Sequence, residues 1–287
     1  MKFTALFAVT FAAATAAFAQ QNFDAVQIKA AHVAGSVHML EGSGGNIGVS
    51  VGPEGLLIVD TQFLPLAGRI DAALAKLNPG PLKFVLNTHW HGDHTGGNPH
   101  FGKRAAVVAH DNVRKRLLAA STPLPKEALP LVTFNQSTSV HFNGEEIKMI
   151  SLVPGHTDGD ALIHFTKSGV FHTGDQFLNR RFPFIDVGSG GDLLGYIQNI
   201  DFMVKTIPAD AKIIPGHGAL ATKADLEATQ QMLSETTALV RKAIAEGKTQ
   251  EQVRAAGVPE KYKDWGAGFI NVNRYLDAVY NALSPKK

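Results

Sequence analysis

The chain has 287 residues, and its 27 Lys and Arg against 25 Asp and Glu give a formal net charge of +2 at pH 7. So small a charge provides no strong field for nucleic acid or for an anionic membrane, which argues against those partners. Cysteine is absent from the sequence, so a site for a soft metal must be built from histidine and carboxylate side chains.

The first 19 residues have the pattern of a secretory signal peptide. Lys2 precedes an apolar run of about 15 residues, and Ala17-Phe18-Ala19 matches an A-x-A cleavage site. A membrane anchor is the alternative, but this run is short for a bilayer span, and no later stretch is apolar and long enough. We therefore expect cleavage after Ala19, a periplasmic or secreted protein without a membrane span, and a single domain over residues 20–287.

Strands and helices alternate in the first half of the predicted mature chain. Short strands broken by glycine-rich turns are predicted over residues 36–63, and the last of them ends at Asp60. Apolar residues recur at helical spacing over residues 66–77, which predicts a helix there. The other predicted elements are the strands LKFVLNT and AAVVAH, a basic helix over 111–120 and a Pro-rich loop over 121–130.

The second half repeats this order of strands and helices. The strands predicted there are VTF, STSVHF, EIKMISLV, ALIHFT, GVFHT and AKIIP. The helices are predicted near 192–206 and over 222–246, 249–256 and 270–283. The whole pattern predicts an α/β fold in which two similar halves pack sheet to sheet, with the helices outside.

Four potential metal ligands lie together in the stretch THWHGDHTGG. Because positions i and i+2 share a face in an extended run, His89 and His91 can chelate one ion. Gly92 then permits a turn, after which Asp93 and His94 can point towards a second ion. Imidazole and carboxylate are both suitable zinc ligands.

Three further candidate ligands each follow a predicted strand and have a glycine neighbour: His156, Asp175 and His217. Loops at matching strand ends converge on one edge of a sheet, where binding sites gather. His156 can complete the first metal site, His217 can complete the second, and Asp175 has two oxygens with which to bridge the two ions. Two sites with incomplete coordination shells are typical of catalytic metals, which lower the pKa of a shared water molecule.

The remaining polar candidates have weaker signals. Asp60 closes a buried strand, where it either hydrogen-bonds a metal ligand or forms a cap or turn. Seven histidines have no partner at metal-ligand spacing and are expected to be ordinary strand or loop residues: His32, His38, His100, His110, His141, His164 and His172.

The sequence resembles the metallo-β-lactamase superfamily over nearly all of the predicted mature chain. The resemblance is carried by HWHGDH at 89–94, by Asp60 upstream, and by the three downstream ligands in the expected order. It implies a four-layer αβ/βα sandwich with the metals at one edge of two mixed sheets packed face to face. It also implies that one metal is held by His89, His91 and His156, the other by Asp93, His94 and His217, with Asp175 as the bridge.

Departures from individual branches of that superfamily narrow the implied chemistry. The best-known secreted lactamases use a cysteine near the position of Asp175, so the aspartate resembles glyoxalase II and lactonase relatives instead. Flavodiiron oxidoreductases have a glutamate where His91 stands, so this sequence does not resemble that branch. Nuclease relatives carry an additional domain for which this sequence has no signal. Persulfide dioxygenases keep a similar ligand set with a single iron and stay open as an alternative.

We therefore expect an exported hydrolase with two Zn²⁺ ions, iron or mixed metals being open. It would cleave an amide, ester, lactone or thioester bond of a small molecule through a hydroxide that bridges the metals. Asp93 would be both a ligand and the catalytic residue that orients the hydroxide. A non-catalytic periplasmic zinc-binding or accessory protein is the alternative from another functional class.

Two loops are candidates for substrate contact. The glycine-rich residues 42–46 are expected to form a flap over the metal edge. Arg180 or Arg181 can bind a substrate carboxylate in a forked geometry, with a solvated surface pair as the alternative. Phe182 and Phe184, which follow them, are expected in the core.

Overall fold

Two β-sheets flanked by helices form the fold in the computed structural model of the chain. The structure describes residues 22–285, so the predicted signal peptide, residues 1–19, lies outside the described part. Among the described residues, no helix is both long and apolar enough to cross a membrane.

The first sheet contains seven strands in chain order. They are β1 (Lys29–Ala34), β2 (Val37–Glu41), β3 (Ile47–Gly52), β4 (Gly55–Val59), β5 (Leu82–Leu86), β6 (Ala106–His110) and β7 (Val132–Phe134). Strands β1 to β4 pair antiparallel, and β4 to β7 pair parallel. The parallel strands β4 and β5 both end at the edge where the metal-ligand motif begins.

The second sheet contains five strands in the order β12-β11-β10-β9-β8. They are β8 (Ser137–Phe142), β9 (Glu145–Ser151), β10 (Ala161–Phe165), β11 (Val170–His172) and β12 (Lys212–Ile214). Only the pair β11–β12 is parallel, so both sheets are mixed.

The described residues also form eight α-helices. They are α1 (Ala67–Leu77), α2 (Gly92–Thr95), α3 (Asn98–Phe101), α4 (Asp111–Leu118), α5 (Leu193–Thr206), α6 (Lys223–Ala245), α7 (Gln250–Ala256) and α8 (Val272–Leu283). Buried side chains of α1 pack on the first sheet, and those of α5, α6 and α8 pack on the second.

The inner layer of the core lies between the two sheets. Leu57 and Leu86 of the first sheet pack in the same buried cluster as Met149 and Ile163 of the second. Since helices cover both outer faces, the layers follow the order helix, sheet, sheet, helix. The four-layer sandwich implied by the sequence is therefore confirmed.

Four elements differ from the sequence expectations. Strand β1 was not predicted, because it is a largely exposed edge strand without buried alternation. Strand β7, predicted with the second half, pairs with β6 of the first sheet, and local sequence does not encode that choice of partner. Helices α2 and α3 have four residues each, too few to show a helical period.

Candidate metal centre

All seven predicted ligands lie at one edge of the paired sheets. His89 and His91 lie in the segment between β5 and α2, and Asp93 and His94 lie on the short helix α2. The other three ligands lie in the segments that follow β9, β11 and β12, namely His156, Asp175 and His217.

The ligand atoms fall into three overlapping groups of three, and within each group all atoms lie within 4.8 Å of one another. The groups are His89, His91 and His156; His89, His94 and Asp175; and Asp93, His94 and His217. The first and third are the two metal positions expected from the sequence, and the second joins them.

Distances between ligand atoms match a tetrahedral site. Ligands bound to zinc at tetrahedral angles lie roughly 3.3 Å apart, given bonds of about 2.0 Å. In the first group, His91 Nδ1 lies 2.9 Å from His156 Nε2. In the third, His217 Nε2 lies 3.2 Å from Asp93 Oδ2 and 3.4 Å from His94 Nε2. The donor set therefore fits a zinc-like ion at each position.

Asp175 faces both positions with different oxygens. Its Oδ1 lies 3.2 Å from His94 Nε2 and 3.5 Å from His217 Nε2, and its Oδ2 lies 3.7 Å from His156 Nε2. This carboxylate can therefore bridge two ions. His89 Nε2 is buried without a hydrogen-bond partner among residues 22–285, an arrangement that costs about 1–3 kcal/mol unless another group binds this atom.

In four of these histidines, the ring nitrogen that points away from the cluster makes a hydrogen bond. The partners are Thr88 Oγ1 for His89 (3.1 Å), Asp186 Oδ2 for His91 (2.9 Å), Asp60 Oδ2 for His94 (2.8 Å) and the Phe184 carbonyl for His156 (2.6 Å). Such bonds orient metal-binding imidazoles and fix the tautomer. In a neutral imidazole, such a bond leaves a lone pair, not a proton, on the nitrogen that faces the cluster.

Asp60 organises this outer set of contacts. It is fully buried, and its carboxylate accepts from the Thr88 amide (2.8 Å), the Thr88 hydroxyl (2.7 Å) and His94 Nδ1. The Thr88 hydroxyl is thereby left as an acceptor for His89. Of the two possibilities for Asp60, the structure shows the hydrogen bond to a candidate ligand. Its backbone has φ of 67°, a strained value for a residue other than glycine.

Asp186 is a site residue that the sequence did not reveal. It accepts hydrogen bonds from His91 Nε2 and from the Ser189 hydroxyl (2.5 Å). Burial raises the pKa of this carboxyl, but the Ser189 and His91 hydrogen bonds outweigh it and hold the pKa below its usual range. No motif marks it, because an isolated aspartate in FIDVGS is typical of an ordinary turn.

The cluster carries a strong negative field. Burial lowers the pKa of His94, but the carboxylates of Asp93, Asp175 and Asp60 together raise it well above the usual histidine range. At His217, burial lowers the pKa, but the Asp175 carboxylate outweighs burial and raises the pKa to about 9. A field that holds protons on these imidazoles also attracts metal cations.

Two glycines bring backbone into contact with the cluster. A Cβ on Gly45 would lie 2.1 Å from His94 Cε1, and one on Gly216 would lie 2.0 Å from Asp175 Oδ1. Gly45 also donates to the Asp93 carbonyl (3.0 Å) and accepts from Gln62 Nε2 (2.8 Å). Gly45, which lies in the segment 42–46 that was expected to form a flap, is therefore packed against His94.

The loop after Asp175 is partly as expected. Phe182 is buried and stacks on Tyr275, with ring centroids 4.3 Å apart. Phe184 is only half-buried, and its ring lies 5.9 Å from that of His91. Arg180 and Arg181 are exposed and form no ion pair with any described residue.

The seven other histidines lie outside the three groups of potential ligands. His172 is buried, and its Nε2 donates to the Asn46 carbonyl at 3.0 Å. Asn46 in turn donates to the carbonyls of Pro215 and Gly218, which flank His217. His172 therefore contributes indirectly to the position of His217.

Proteins of known sequence are similar to this chain. The sequence profile of the metallo-beta-lactamase superfamily matches residues 40–217. A lactamase-like protein, nscB, from Trichophyton rubrum is 27% identical over 253 residues, which are 87% of this chain and 70% of the relative. A hydroxyacylglutathione hydrolase from Cereibacter sphaeroides is 31% identical over 158 residues, 54% of this chain and 55% of the relative. The chain spans 63% of the lactamase-like relative from Trichophyton verrucosum.

Solved structures share the fold. A metallo-beta-lactamase from Pontibacter korlensis has a TM-score of 0.63 and 18% identity, covering 72% of this chain and 99% of that one. A double mutant of a sec-alkyl sulfatase has a TM-score of 0.70 and 15% identity, covering 88% of this chain and 50% of that one. The chain therefore belongs to the metallo-β-lactamase superfamily and has its hydrolase-like fold.

Proposed function

We propose that the protein is a hydrolase that holds two divalent ions, in the first place Zn²⁺, in the seven-residue cluster. One observation carries the proposal. His91 Nδ1 and His156 Nε2 lie 2.9 Å apart, although each ring donates its proton elsewhere, to Asp186 and to the Phe184 carbonyl. Two lone pairs at this distance repel each other unless a cation or a proton joins them. The site is therefore suited to a cation.

The side chains of the cluster have two proposed roles, which are to bind the ions and to orient a water molecule. His89, His91 and His156 would bind one ion, Asp93, His94 and His217 the other, and Asp175 both. Two bound ions polarise a carbonyl group and lower the pKa of a water molecule towards neutrality. Asp93 can accept a hydrogen bond from that water and direct it, since its side chain is 27% exposed at the open side of the cluster.

The proposed substrate is a small molecule with an amide, ester, lactone or thioester bond. The hydroxyacylglutathione hydrolase relative supports hydrolysis. The resemblance of Asp175 to the bridging aspartate of glyoxalase II relatives supports it as well. A panel of chromogenic lactam, lactone, ester and thioester substrates tests this proposal. We expect hydrolysis of at least one class, abolished by a chelator and restored by zinc. Absence of turnover across the panel by the zinc-loaded protein would reject it in favour of a binding protein.

We propose export of the mature protein, with Gln20 as its first residue. The supporting observation is the pattern of Lys2, the apolar run and Ala17-Phe18-Ala19. N-terminal sequencing of protein from the periplasm or the medium should begin at Gln20. Finding the chain only in the cytoplasm, with Met1 retained, would contradict export.

Asp186→Ala should lower zinc affinity about 10–100-fold, because a carboxylate that orients a metal-binding imidazole has an effect of this size. Competition with a chromophoric chelator measures the affinity. Ser189→Ala is the matched control, since it removes the hydroxyl bonded to Asp186 but keeps the carboxylate on His91. Equal affinities for the two variants would show that Asp186 does not act through His91.

Zinc binding near pH 7 should release at least one proton, because a pKa of about 9 keeps the His217 imidazole protonated in the metal-free protein, and the raised pKa of His94 favours release of a second. Because protons compete with zinc for these imidazoles, the affinity for zinc should increase as pH rises, up to about 9, the pKa of His217. Calorimetry in buffers of different ionisation enthalpy counts the protons. The exposed His141 lies outside the cluster, so His141→Gln should not change the count. A count near zero would contradict these protonation states.

A further inference from the structure

An aromatic path leads from the cluster to the surface. The Phe184 ring lies 5.9 Å from the His91 ring and 5.8 Å from the His156 ring. Phe269, which precedes helix α8, packs edge-on against Phe184 at 5.7 Å. The Phe269 side chain is 72% exposed, so the outer end of the path faces solvent.

Two cationic side chains border the outer end of this path. The Arg274 guanidinium lies 5.6 Å from the centre of the Phe269 ring. The stem of Arg181 lies beside Gly268, with its Cδ 3.5 Å from the position that a Cβ there would take. Among residues 22–285, neither arginine forms an ion pair with a carboxylate.

An exposed phenylalanine alone, or an unpaired arginine alone, is common on protein surfaces. Here, however, the exposed ring continues a path from two candidate metal ligands, and the unpaired charges lie at its end. An apolar surface next to a site marks a ligand contact. Guanidinium groups without carboxylate partners are available to bind an anion.

We propose that Phe184, Phe269, Arg181 and Arg274, here called the rim, bind amphiphilic anions. A phenyl or alkyl body would lie on the two rings, and a carboxylate or similar anionic group would contact the arginines. The identification of this ligand as the substrate rests on the proposed hydrolase function. Its scissile carbonyl would then lie at the cluster, with the anionic group at the far end.

The reach of the rim predicts a preference by size and charge. A group as small as acetyl beside His91 extends no farther than Phe184, whereas a phenylalkyl chain extends to Phe269. A neutral chain of the same length gains the ring contacts but not the arginines. Binding should therefore depend separately on the apolar body and on the charge.

Calorimetry on the zinc-loaded protein tests these two contributions with 4-phenylbutyrate, neutral 4-phenylbutan-1-ol and acetate as probes. We expect phenylbutyrate to bind most tightly. Phe269→Ala should weaken phenylbutyrate and the alcohol about tenfold, as expected for a lost apolar contact. Arg274→Gln should weaken phenylbutyrate about fivefold and leave the alcohol unchanged. Matched controls away from the rim are Phe202→Ala, at a 40% exposed ring on α5, and Arg241→Gln, at an exposed arginine on α6.

Equal affinity for acetate and phenylbutyrate, or rim variants that behave like the controls, would overturn the proposal. Because Phe269 is exposed, its substitution should not affect folding, which a thermal melt verifies. Turnover on short substrates without this binding pattern would reject the rim and keep the hydrolase. The binding pattern without any turnover would reject the hydrolase and keep the rim.

Discussion

Asp93→Asn should reduce hydrolysis at least about a hundredfold, the lower range for loss of a group that directs a proton or a water molecule. The carboxylate Oδ2 lies 3.2 Å from His217 Nε2 and 3.6 Å from His94 Nε2, so it lies where the second ion would bind. A neutral amide is a poor ligand and holds water less strongly. Since Asp93 lies on a short surface helix and is partly exposed, the fold should persist.

The measurement is kcat/KM for this variant, with bound zinc and thermal stability determined on the same sample. Asp210→Asn is the matched control, because Asp210 is exposed and lies outside the potential ligand groups. The control should retain wild-type turnover. Near-wild-type turnover by Asp93→Asn would show that the cluster in THWHGDHTGG is not the reaction centre.

Gly45→Ala should disrupt the ligand group of Asp93, His94 and His217, because the backbone at Gly45 packs directly against the His94 ring. The added methyl group would lie 2.1 Å from His94 Cε1, so either the ring or the loop must move. The loop cannot easily move, because Gly45 donates to the Asp93 carbonyl and accepts from Gln62 Nε2. We expect a loss of about 1–3 kcal/mol in the free energy of unfolding, as for other overpacked sites. We also expect a fall in zinc affinity of about tenfold or more, because displacement of His94 removes a ligand.

Gly68→Ala controls for the substitution itself. Gly68 lies in α1 with no atom within 4 Å of the added Cβ, so alanine should stabilise the helix by about 0.5–1 kcal/mol. Denaturant unfolding and a zinc titration on both variants provide the comparison. Wild-type zinc affinity in Gly45→Ala would mean that the loop gives way without disturbing His94.

The sequence predicted the grouping of the candidate ligands because their signals are local. His89, His91, Asp93 and His94 are so close in the chain that spacing alone predicts their grouping. The downstream ligands share a context instead, a strand followed by a turn with a glycine, and strand ends meet at one edge whatever the pairing order. Helix bounds were also predictable within a few residues, as for α5 and α6, where apolar periodicity is long.

Contacts between distant segments were not predictable in the same way. Asp186 lies 95 positions from His91, and nothing in its own neighbourhood specifies an imidazole partner. Gly45 lies in the glycine-rich segment 42–46, for which the sequence predicts a flap, and only the packed structure shows the His94 ring against it. Phe184 was expected in the core from its apolarity, but a half-buried position beside His91 depends on the arrangement of the whole loop.

The proposed reaction centre consists of two metal ions held by the seven-residue cluster. The most direct test titrates zinc into metal-depleted protein while the rate of hydrolysis and the bound zinc are both measured. We predict no hydrolysis without metal and a rate that reaches its plateau at two bound ions per chain. A plateau at one ion, recovery with a single iron instead, or full activity in the presence of a chelator would contradict a reaction centre of two zinc ions.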